Sequence, residues 1–373
     1  MKNRENCKKY RTEGEKMKQI HGGNIEEVKK LYNLKDEEIV DFSSNINFSG
    51  PPPGLYELIV KKINKMTRYP EPYAESLESD LADFLEINQE NLVTGNGGVE
   101  IIYELFKNLD EVKTVLLPVP TFSEYEQAAK SFDKKIKYFT MNKTNYYKLN
   151  IDNLYSYLDK VDLIFICNPN NPTGNLLKKN KLLNLIRICQ QKNIFLVVDE
   201  AFIDFQDEVE RYSVIDQVTR YQNIFVLRSM TKFYAIPGLR LGYGVGNNKL
   251  INKIRRSKIP WSVNIFAQMA GKMVLTQKKF RKKSVRENKK ERNFLYSSLK
   301  EIDGFVPLLP AANYIGIDIS EYKYNAPALT DILAQKGILI RDCSSYKGLG
   351  NNFIRIAVKN RKKNMILLDH LTG

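Results

Sequence analysis

One lysine of this chain stands in surroundings that are unusual for a surface charge. Lys232 ends the stretch Ser229-Met230-Thr231-Lys232, which follows the apolar segment 224–227, and Arg240 comes eight residues later. A lysine whose pKa is lowered by burial can form an imine with an aldehyde, and nearby hydroxyl and guanidinium groups can bind a phosphate. The alternative is an ordinary solvated lysine. The flanking hydroxyls and the apolar segment favour the chemical interpretation.

Polar side chains also follow two other apolar segments. Asp199 comes directly after 194–198, and Asn171 lies in the turn 168–174, which follows 162–167. A carboxylate at Asp199 could cap a helix, or it could pair with a protonated pyridine nitrogen and keep that ring electron-withdrawing. The amide of Asn171 could donate to a phenolic oxygen. Ligands collect beyond the carboxyl ends of parallel strands, so we expect these groups to lie close together.

A glycine-rich turn offers a second way to bind phosphate. Residues 95–100 read Gly-Asn-Gly-Gly-Val-Glu and join a predicted strand to a predicted helix, whose first free N–H groups favour an anion. The turn is not a dinucleotide fingerprint, because Glu100 stands where a third glycine is needed. Phe122, beyond the segment 114–117, is a core residue by default but could stack on a planar ring.

The elements that position these residues alternate between strand-like and helical segments from about residue 91 to residue 246. Short apolar runs at 92–94, 114–117, 162–167, 194–198 and 224–227 are typical of strands buried on both faces of a parallel sheet. Helical stretches such as 179–191 separate some of them. The pattern predicts an α/β domain with a mostly parallel sheet.

The chain length of 373 residues favours one large and one smaller domain. We predict an N-terminal segment, 1–50, associated with the small domain and the active site, then a large α/β domain, 51–285. The pattern from about residue 290 (helix, strand, helix, strand, strand, helix) predicts a small α+β domain at 286–373.

Composition excludes several classes of function. The net charge of +15 invites a nucleic-acid partner, but the densest basic cluster, 278–292, lacks interleaved aromatic residues and continues into a helical pattern, so we interpret it as a solvated helix face. Two histidines and four dispersed cysteines leave little material for a metal site or a Ser-His-Asp triad. Residues 1–20 contain no apolar block, and no apolar run is long enough to span a bilayer. We therefore expect a cytoplasmic protein with reduced cysteines, no metal and no membrane partner.

Taken together and in this order, the motifs resemble those of fold-type I enzymes that use pyridoxal 5′-phosphate (PLP), in the subfamily of histidinol-phosphate aminotransferase and threonine-phosphate decarboxylase. The resemblance extends from His21 to the end of the chain. It implies that Lys232 carries the cofactor as a Schiff base and that Asp199 is the partner of the pyridine ring. It also implies the other cofactor contacts, with Tyr69 coming from the partner subunit of a homodimer: Tyr69, Gly98, Val99, Phe122, Asn171, Ser229, Thr231 and Arg240.

Segments away from the cofactor motifs resemble the decarboxylase branch, which makes the aminopropanol phosphate linker of cobalamin. These are 21–24, 41–47, 227–243, 260–264 and 340–343, and Phe202 stands where the aminotransferase branch typically has Tyr. The resemblance implies a phosphorylated amino acid as substrate, held by His21, Gly22, Asn45, Asn171, Arg341 and Arg355. Histidinol-phosphate aminotransferase is the alternative activity, and a non-catalytic regulator is a third possibility. The preference between threonine phosphate and serine phosphate stays open, because one methyl group changes binding by only about 1–3 kcal/mol.

Overall fold

The computed structural model describes residues 22, 23 and 25–372, so His21 lies outside the described residues. The described part forms strands β1 (Val40–Asp41), β2 (Leu92–Gly95), β3 (Thr114–Val119), β4 (Lys135–Thr140), β5 (Leu163–Cys167), β6 (Phe195–Asp199), β7 (Ile224–Ser229), β8 (Gly242–Gly246), β9 (Val306–Pro307), β10 (Tyr314–Asp318), β11 (Ile338–Leu339), β12 (Arg341–Asp342) and β13 (Phe353–Ala357).

The helices of the described part cover both faces of the large sheet and pack on the smaller ones. They are α1 (Ile25–Tyr32), α2 (Leu55–Lys61), α3 (Glu75–Leu85), α4 (Gly98–Lys107), α5 (Glu124–Ser131), α6 (Ile151–Leu154), α7 (Lys179–Gln191), α8 (Met230–Phe233), α9 (Asn248–Ser257), α10 (Ile265–Leu275), α11 (Lys278–Lys300), α12 (Ala326–Gln335) and α13 (Arg361–Thr372).

The large sheet has seven strands in the order β2-β8-β7-β6-β5-β3-β4. Its strands are parallel except β8, which runs antiparallel to both β2 and β7. The central strands β5 and β7 are buried along their whole length, as expected for apolar strands covered by helices on both faces. The predicted α/β fold with a mostly parallel sheet is confirmed.

The strands extend further toward the site than the apolar pattern indicated. The segment predicted at 194–198 is a strand that ends on Asp199, and the segment at 224–227 continues to Ser229. Hydrogen bonding to the neighbouring strand decides these ends: the amide of Glu200, just past β6, still donates to the carbonyl of Leu227 at 2.8 Å. The polar residues at the strand ends are therefore held rigidly by the sheet.

Two smaller sheets are built from C-terminal strands, and one of them also includes the N-terminal strand β1. Strands β12-β13-β10-β9 form an antiparallel sheet, and β1 pairs in parallel with β11. Phe42, next to β1, is buried in the same apolar cluster as Ile315 and Ile356. The N-terminal segment is thus attached to the C-terminal elements. The predicted boundary between 285 and 286 falls inside the continuous helix α11, and the division into domains stays a prediction.

The basic cluster 278–292 lies on α11, whose buried side includes Leu295 and Leu299, whereas Lys282 and Lys283 are exposed. Cys167, Cys189 and Cys343 are buried and unpaired by disulfides. Within the described ranges, no group of acidic, cysteine or histidine side chains is placed to hold a metal ion. None of the helices described is both long and apolar enough to cross a membrane.

Candidate active site

A cavity of about 250 Å³ opens at the carboxyl edge of the parallel strands, where β5, β6 and β7 end. Most of the residues predicted from the sequence line it, although they come from widely separated segments. They are Gly22, Asn45, Gly98, Val99, Phe122, Asn171, Asp199, Ser229, Thr231, Lys232, Arg240 and Arg355.

Lys232 lies on the short helix α8, which follows β7 directly. Burial, together with the positive charges of Arg240 and Arg355, lowers the pKa of its amine to about 8. The backbone is fixed from the N-terminal segment, since the amide of Asn47 donates to the carbonyl of Lys232 at 3.0 Å. A lysine with this pKa has a substantial neutral fraction near pH 8, which a nucleophilic amine requires.

Asp199, the last residue of β6, is buried beneath the cavity. Its carboxylate accepts hydrogen bonds from the hydroxyl of Tyr125 at 2.6 Å and from the amide of Ala201 at 2.8 Å. Burial raises the pKa of Asp199 to about 6, although both hydrogen bonds favour the ionised form. In the described part no cation forms an ion pair with this carboxylate, so its charge is available to a ligand.

The side of the cavity next to α4 is shaped to hold an anion. The hydroxyls of Ser229 and Thr231 lie 2.7 Å apart, and α4 begins there with its N–H groups directed outward. Two glycines permit this close approach: a Cβ on Gly97, whose φ is +80°, would lie 2.4 Å from Nη2 of Arg240, and a Cβ on Gly242 would lie 2.6 Å from the amide nitrogen of Gly98. Hydroxyl, guanidinium and helix N-terminus together suit a phosphate.

The opposite side of the cavity carries a buried guanidinium. Arg355 donates from Nη1 to Oδ1 of Asn171 and from Nη2 to the carbonyl of Ser43 at 2.7 Å. Its Nε and the Oδ1 of Asn45 are buried and have no hydrogen-bond partner among the described residues. No described carboxylate lies within ion-pair distance of Arg355. Because a buried charge is costly without a counter-charge, the site fits an anionic ligand here.

Arg341 and Tyr69 do not line the cavity. Arg341 is buried on β12, directly across from Arg355 in the β12–β13 register. Its guanidinium lies 5.5 Å from the ring of Tyr346, which does line the cavity. Tyr69 is 84 % exposed, and its ring packs 5.2 Å from that of Trp261 on the surface.

Several lining residues were missed by sequence reasoning. Tyr125 and Tyr346 bring hydroxyls to the site, and Tyr346 donates to Oδ1 of Asn171 at 3.5 Å. Tyr125 comes three residues after Phe122, and this spacing could have placed both rings on one side of the turn into α5.

Phe202 lines the cavity with a ring that contacts Tyr314 edge-on at 5.0 Å. At this position the site has no hydroxyl.

Comparison with known proteins identifies the family. The model of "Aminotransferase class I and II" matches residues 37–371, nearly the whole chain. The chain belongs to the class I and II aminotransferase family. It is therefore a PLP-dependent enzyme of this family, and the solved structures with this fold include a complex with the cofactor.

Two curated relatives represent the two activities. The chain is 35% identical over 365 residues to the "Putative threonine-phosphate decarboxylase" of Caldanaerobacter subterraneus subsp. tengcongensis, covering 97% of this chain and 95% of that protein. It is 33% identical over 342 residues to histidinol-phosphate aminotransferase of Methanocaldococcus jannaschii, covering 91% and 90%. A histidinol-phosphate aminotransferase from Sinorhizobium meliloti, solved with PLP bound, shares the fold with a TM-score of 0.84 at 17% identity, covering 94% of each chain.

PLP is the cofactor of this chain, and the donor set of the cavity fits it. The carboxylate of Asp199, which has no cationic partner among the described residues, suits the pyridine nitrogen. The anion site at the N-terminus of α4 suits the phosphate, and the amine of Lys232, with its lowered pKa, suits the aldehyde. All three groups line one cavity of about 250 Å³.

Proposed function

We propose that this enzyme decarboxylates L-threonine O-3-phosphate to (R)-1-amino-2-propanol O-2-phosphate and CO₂, which makes it a lyase supplying the aminopropanol linker of cobalamin. The observation that carries the proposal is Phe202, which brings an apolar ring into the cofactor cavity where the resemblance assigns a tyrosine to the aminotransferase branch. The 35% identical relative, named as a threonine-phosphate decarboxylase, supports it.

The cofactor, when bound, supplies an electron-withdrawing ring that stabilises negative charge on the substrate's Cα. In the proposed mechanism Lys232 would hold the cofactor through its amine, and the same amine would deliver a proton to the substrate's Cα. Asp199 keeps the pyridine nitrogen protonated, and Asn171 donates from its amide to the phenolic oxygen. Phe122 packs on the ring. The phosphate is bound by Ser229, Thr231, Arg240 and the first amides of α4, at Gly98 and Val99.

The substrate's two anionic groups decide which bond to Cα breaks. We assign the carboxylate to Arg355, whose buried Nε has no partner in the described part of the chain. We assign the phosphate to Arg341 together with His21, with Gly22 and Asn45 completing the substrate pocket. Arg341 and Arg355 lie directly opposite each other on antiparallel strands, where Cβ atoms are about 4.5–5.5 Å apart. Two adjacent guanidinium groups suit a substrate that has both a carboxylate and a phosphate.

The same geometry accommodates amino transfer, in which the Cα–H bond breaks instead. The 33% identical histidinol-phosphate aminotransferase supports this second candidate. Histidinol phosphate itself contains a phosphate but no carboxylate, so the carboxylate at Arg355 would then belong to the amino donor or acceptor. Phe202 favours the decarboxylase.

Two parallel assays on the PLP-loaded protein separate the candidates. We expect CO₂ release from L-threonine O-3-phosphate in the absence of any oxo acid, and no amino transfer from histidinol phosphate to 2-oxoglutarate. Plain L-threonine is the matched control, because it lacks only the phosphate. Amino transfer from histidinol phosphate without CO₂ release from phosphothreonine would refute the proposed reaction.

We further propose that the active unit is a homodimer in which Tyr69 reaches the partner subunit's cofactor site. The exposure of 84 % for this tyrosine, away from its own cavity, supports the assignment. The neighbouring surface contains other exposed apolar side chains, including Tyr56, Val60 and Met66. Apolar patches of this kind are typical of protein interfaces.

A further inference from the structure

A second and larger cavity lies behind the turn that carries Asn171. Its volume is about 460 Å³, and it lies between residues around the end of β5 and the segment 309–311 of the C-terminal part. Cys167 borders both cavities, but Asn168 and Asn170 face this one while Asn171 faces the cofactor cavity. The turn therefore separates two distinct spaces.

The charged side chains that line the second cavity, among the described residues, are all positive. Lys148, Lys178 and Arg292 contribute three cations, and no aspartate or glutamate is among the described residues that line it. An adjoining cavity of about 350 Å³ shares Lys148 and Leu309 with it, adds Lys300, and likewise has no described acidic residue in its lining. The two spaces form a groove with a positive electrostatic potential.

Arg292 gives this groove a fixed and partly unused donor. The side chain is 9 % exposed, and Nη1 donates to the carbonyls of Ala311 at 2.9 Å and Ala312 at 3.4 Å. Its Nε is buried and has no hydrogen-bond partner within the described part of the chain. Asp207, the acidic residue that acts on it electrostatically, forms an ion pair with Lys289 at 2.6 Å. A buried donor without an acceptor is unfavourable, and a hydrogen bond from it to a ligand's oxygen would remove that cost.

The remaining walls are mainly apolar. Met141, Phe165, Leu177, Leu309 and Pro310 line the same cavity as the three cations. Binding sites for organic molecules combine such walls with a few fixed polar groups. We propose that the groove is a second binding site, for an amphipathic organic anion that places its acidic group at Arg292 and its apolar body against Phe165, Leu177 and Leu309.

The test uses 8-anilino-1-naphthalenesulfonate, a fluorescent probe with a sulfonate and an apolar ring system. It is titrated into the PLP-loaded full-length enzyme, so that the cofactor site is already filled. We expect one class of site per chain and the same affinity when L-threonine O-3-phosphate is saturating. Arg292→Met should weaken binding roughly 10- to 100-fold, as loss of a charge-assisted contact does. Arg286→Met, on the same helix with a side chain 75% exposed, is the matched control and should bind like the wild type.

A second variant keeps the test decisive if Arg292→Met fails to fold. Leu309 is 69 % exposed, so Leu309→Glu should fold normally while placing a carboxylate in the groove, and it should weaken probe binding by a similar factor. Absence of binding to the wild-type enzyme would overturn the proposal, as would unchanged binding to Leu309→Glu. The proposal would also be overturned if Met66→Glu lost probe binding while the groove variants kept it, because the probe would then bind at the exposed apolar surface around Met66. None of these readouts depends on the reaction proposed for the enzyme.

Discussion

The hydroxyl of Tyr125 is expected to control the ionisation of Asp199, and the substitution Tyr125→Phe isolates that effect. The ring of Tyr125 is buried and stacks on Phe165 at 4.6 Å, and phenylalanine preserves this packing. What is lost is one donor, 2.6 Å from the carboxylate. A hydrogen bond to a charged group contributes about 1.5–3 kcal/mol. At about 1.4 kcal/mol per pKa unit, the pKa of Asp199 should rise by about one to two units.

In the proposed mechanism the ionised form of Asp199 pairs with the cofactor's protonated nitrogen, and this sets the direction of the pH effect. Because burial already raises the pKa of Asp199 to about 6, cofactor affinity in the wild type should fall as the pH falls through 6. In Tyr125→Phe the pKa becomes roughly 7–8 on the same arithmetic. At pH 7 the ionised fraction, and with it the affinity, should then be about two- to ten-fold lower than in the wild type.

Equilibrium dialysis of PLP against the apoprotein from pH 5 to pH 9 measures this effect. The ratio of variant to wild-type affinity is the informative quantity, since the titrations of Lys232 and of the cofactor are common to both proteins. The ratio should approach one at pH 9, where Asp199 is ionised in both. Tyr103→Phe, at a tyrosine that packs on Phe132 away from the cavity, is the control. A deficit that stayed constant from pH 6 to pH 9 would refute the reasoning.

Four further outcomes follow from the same site. Borohydride reduction immediately after PLP is mixed with the apoprotein should fix the cofactor on Lys232, with early labelling that increases as the pH rises through about 8, because the neutral amine forms the imine. A label mapped to another lysine would contradict the assignment. Mixing Tyr69→Phe with Lys232→Ala protein should restore activity after subunit exchange, and no recovery from two impaired parents would argue against shared sites. Arg341→Ala should weaken substrate binding roughly 10- to 100-fold and remove the preference for phosphorylated threonine, which parallel KM measurements with plain threonine would check. Arg228→Met should lower the free energy of unfolding, measured in urea, by about 3–5 kcal/mol, because it leaves the carboxylate of Glu200 buried without its partner. The exposed Arg211→Met should lower it by about 1 kcal/mol or less, and equal losses in the two variants would contradict the expected cost of breaking the buried pair.

The central sheet and its chemistry could be predicted because both leave local traces. An apolar run such as 162–167 becomes a strand wherever it can be buried, and the residue after it must then lie at the sheet's edge. Asp199, Asn171 and Lys232 were located by this reasoning, and all three line one cavity. The helix predicted at 179–191 is α7, with the same bounds.

What the sequence did not reveal depends on contacts between distant segments. Tyr125 becomes part of the site only because α5 packs where its hydroxyl reaches β6, and Tyr346 only because its loop returns beside Asn171. The basic cavity behind the turn 168–174 draws Lys148, Lys178 and Arg292 from three separate segments. No periodicity or motif marks residues whose only relation is their place in the folded chain.

A buried ion pair joins the two strand ends that carry the chemistry. Glu200 lies just past the end of β6, after Asp199, and Arg228 precedes Ser229 on β7. Nε of Arg228 donates to the carboxylate of Glu200 at 2.8 Å. Neither side chain is more than 5% exposed, so removing both charges from water costs several kcal/mol, and an apolar pair could stabilise the fold as well. An apolar pair, however, would leave the separation of the two strand ends to the backbone hydrogen bonds of the sheet and to packing, with no directional contact between the side chains. A directional, charge-assisted contact one residue from Asp199 and one from Ser229 adds a side-chain constraint on the distance between these two cavity-lining residues, and positioning of this kind would account for such a costly pair at this point of the sheet.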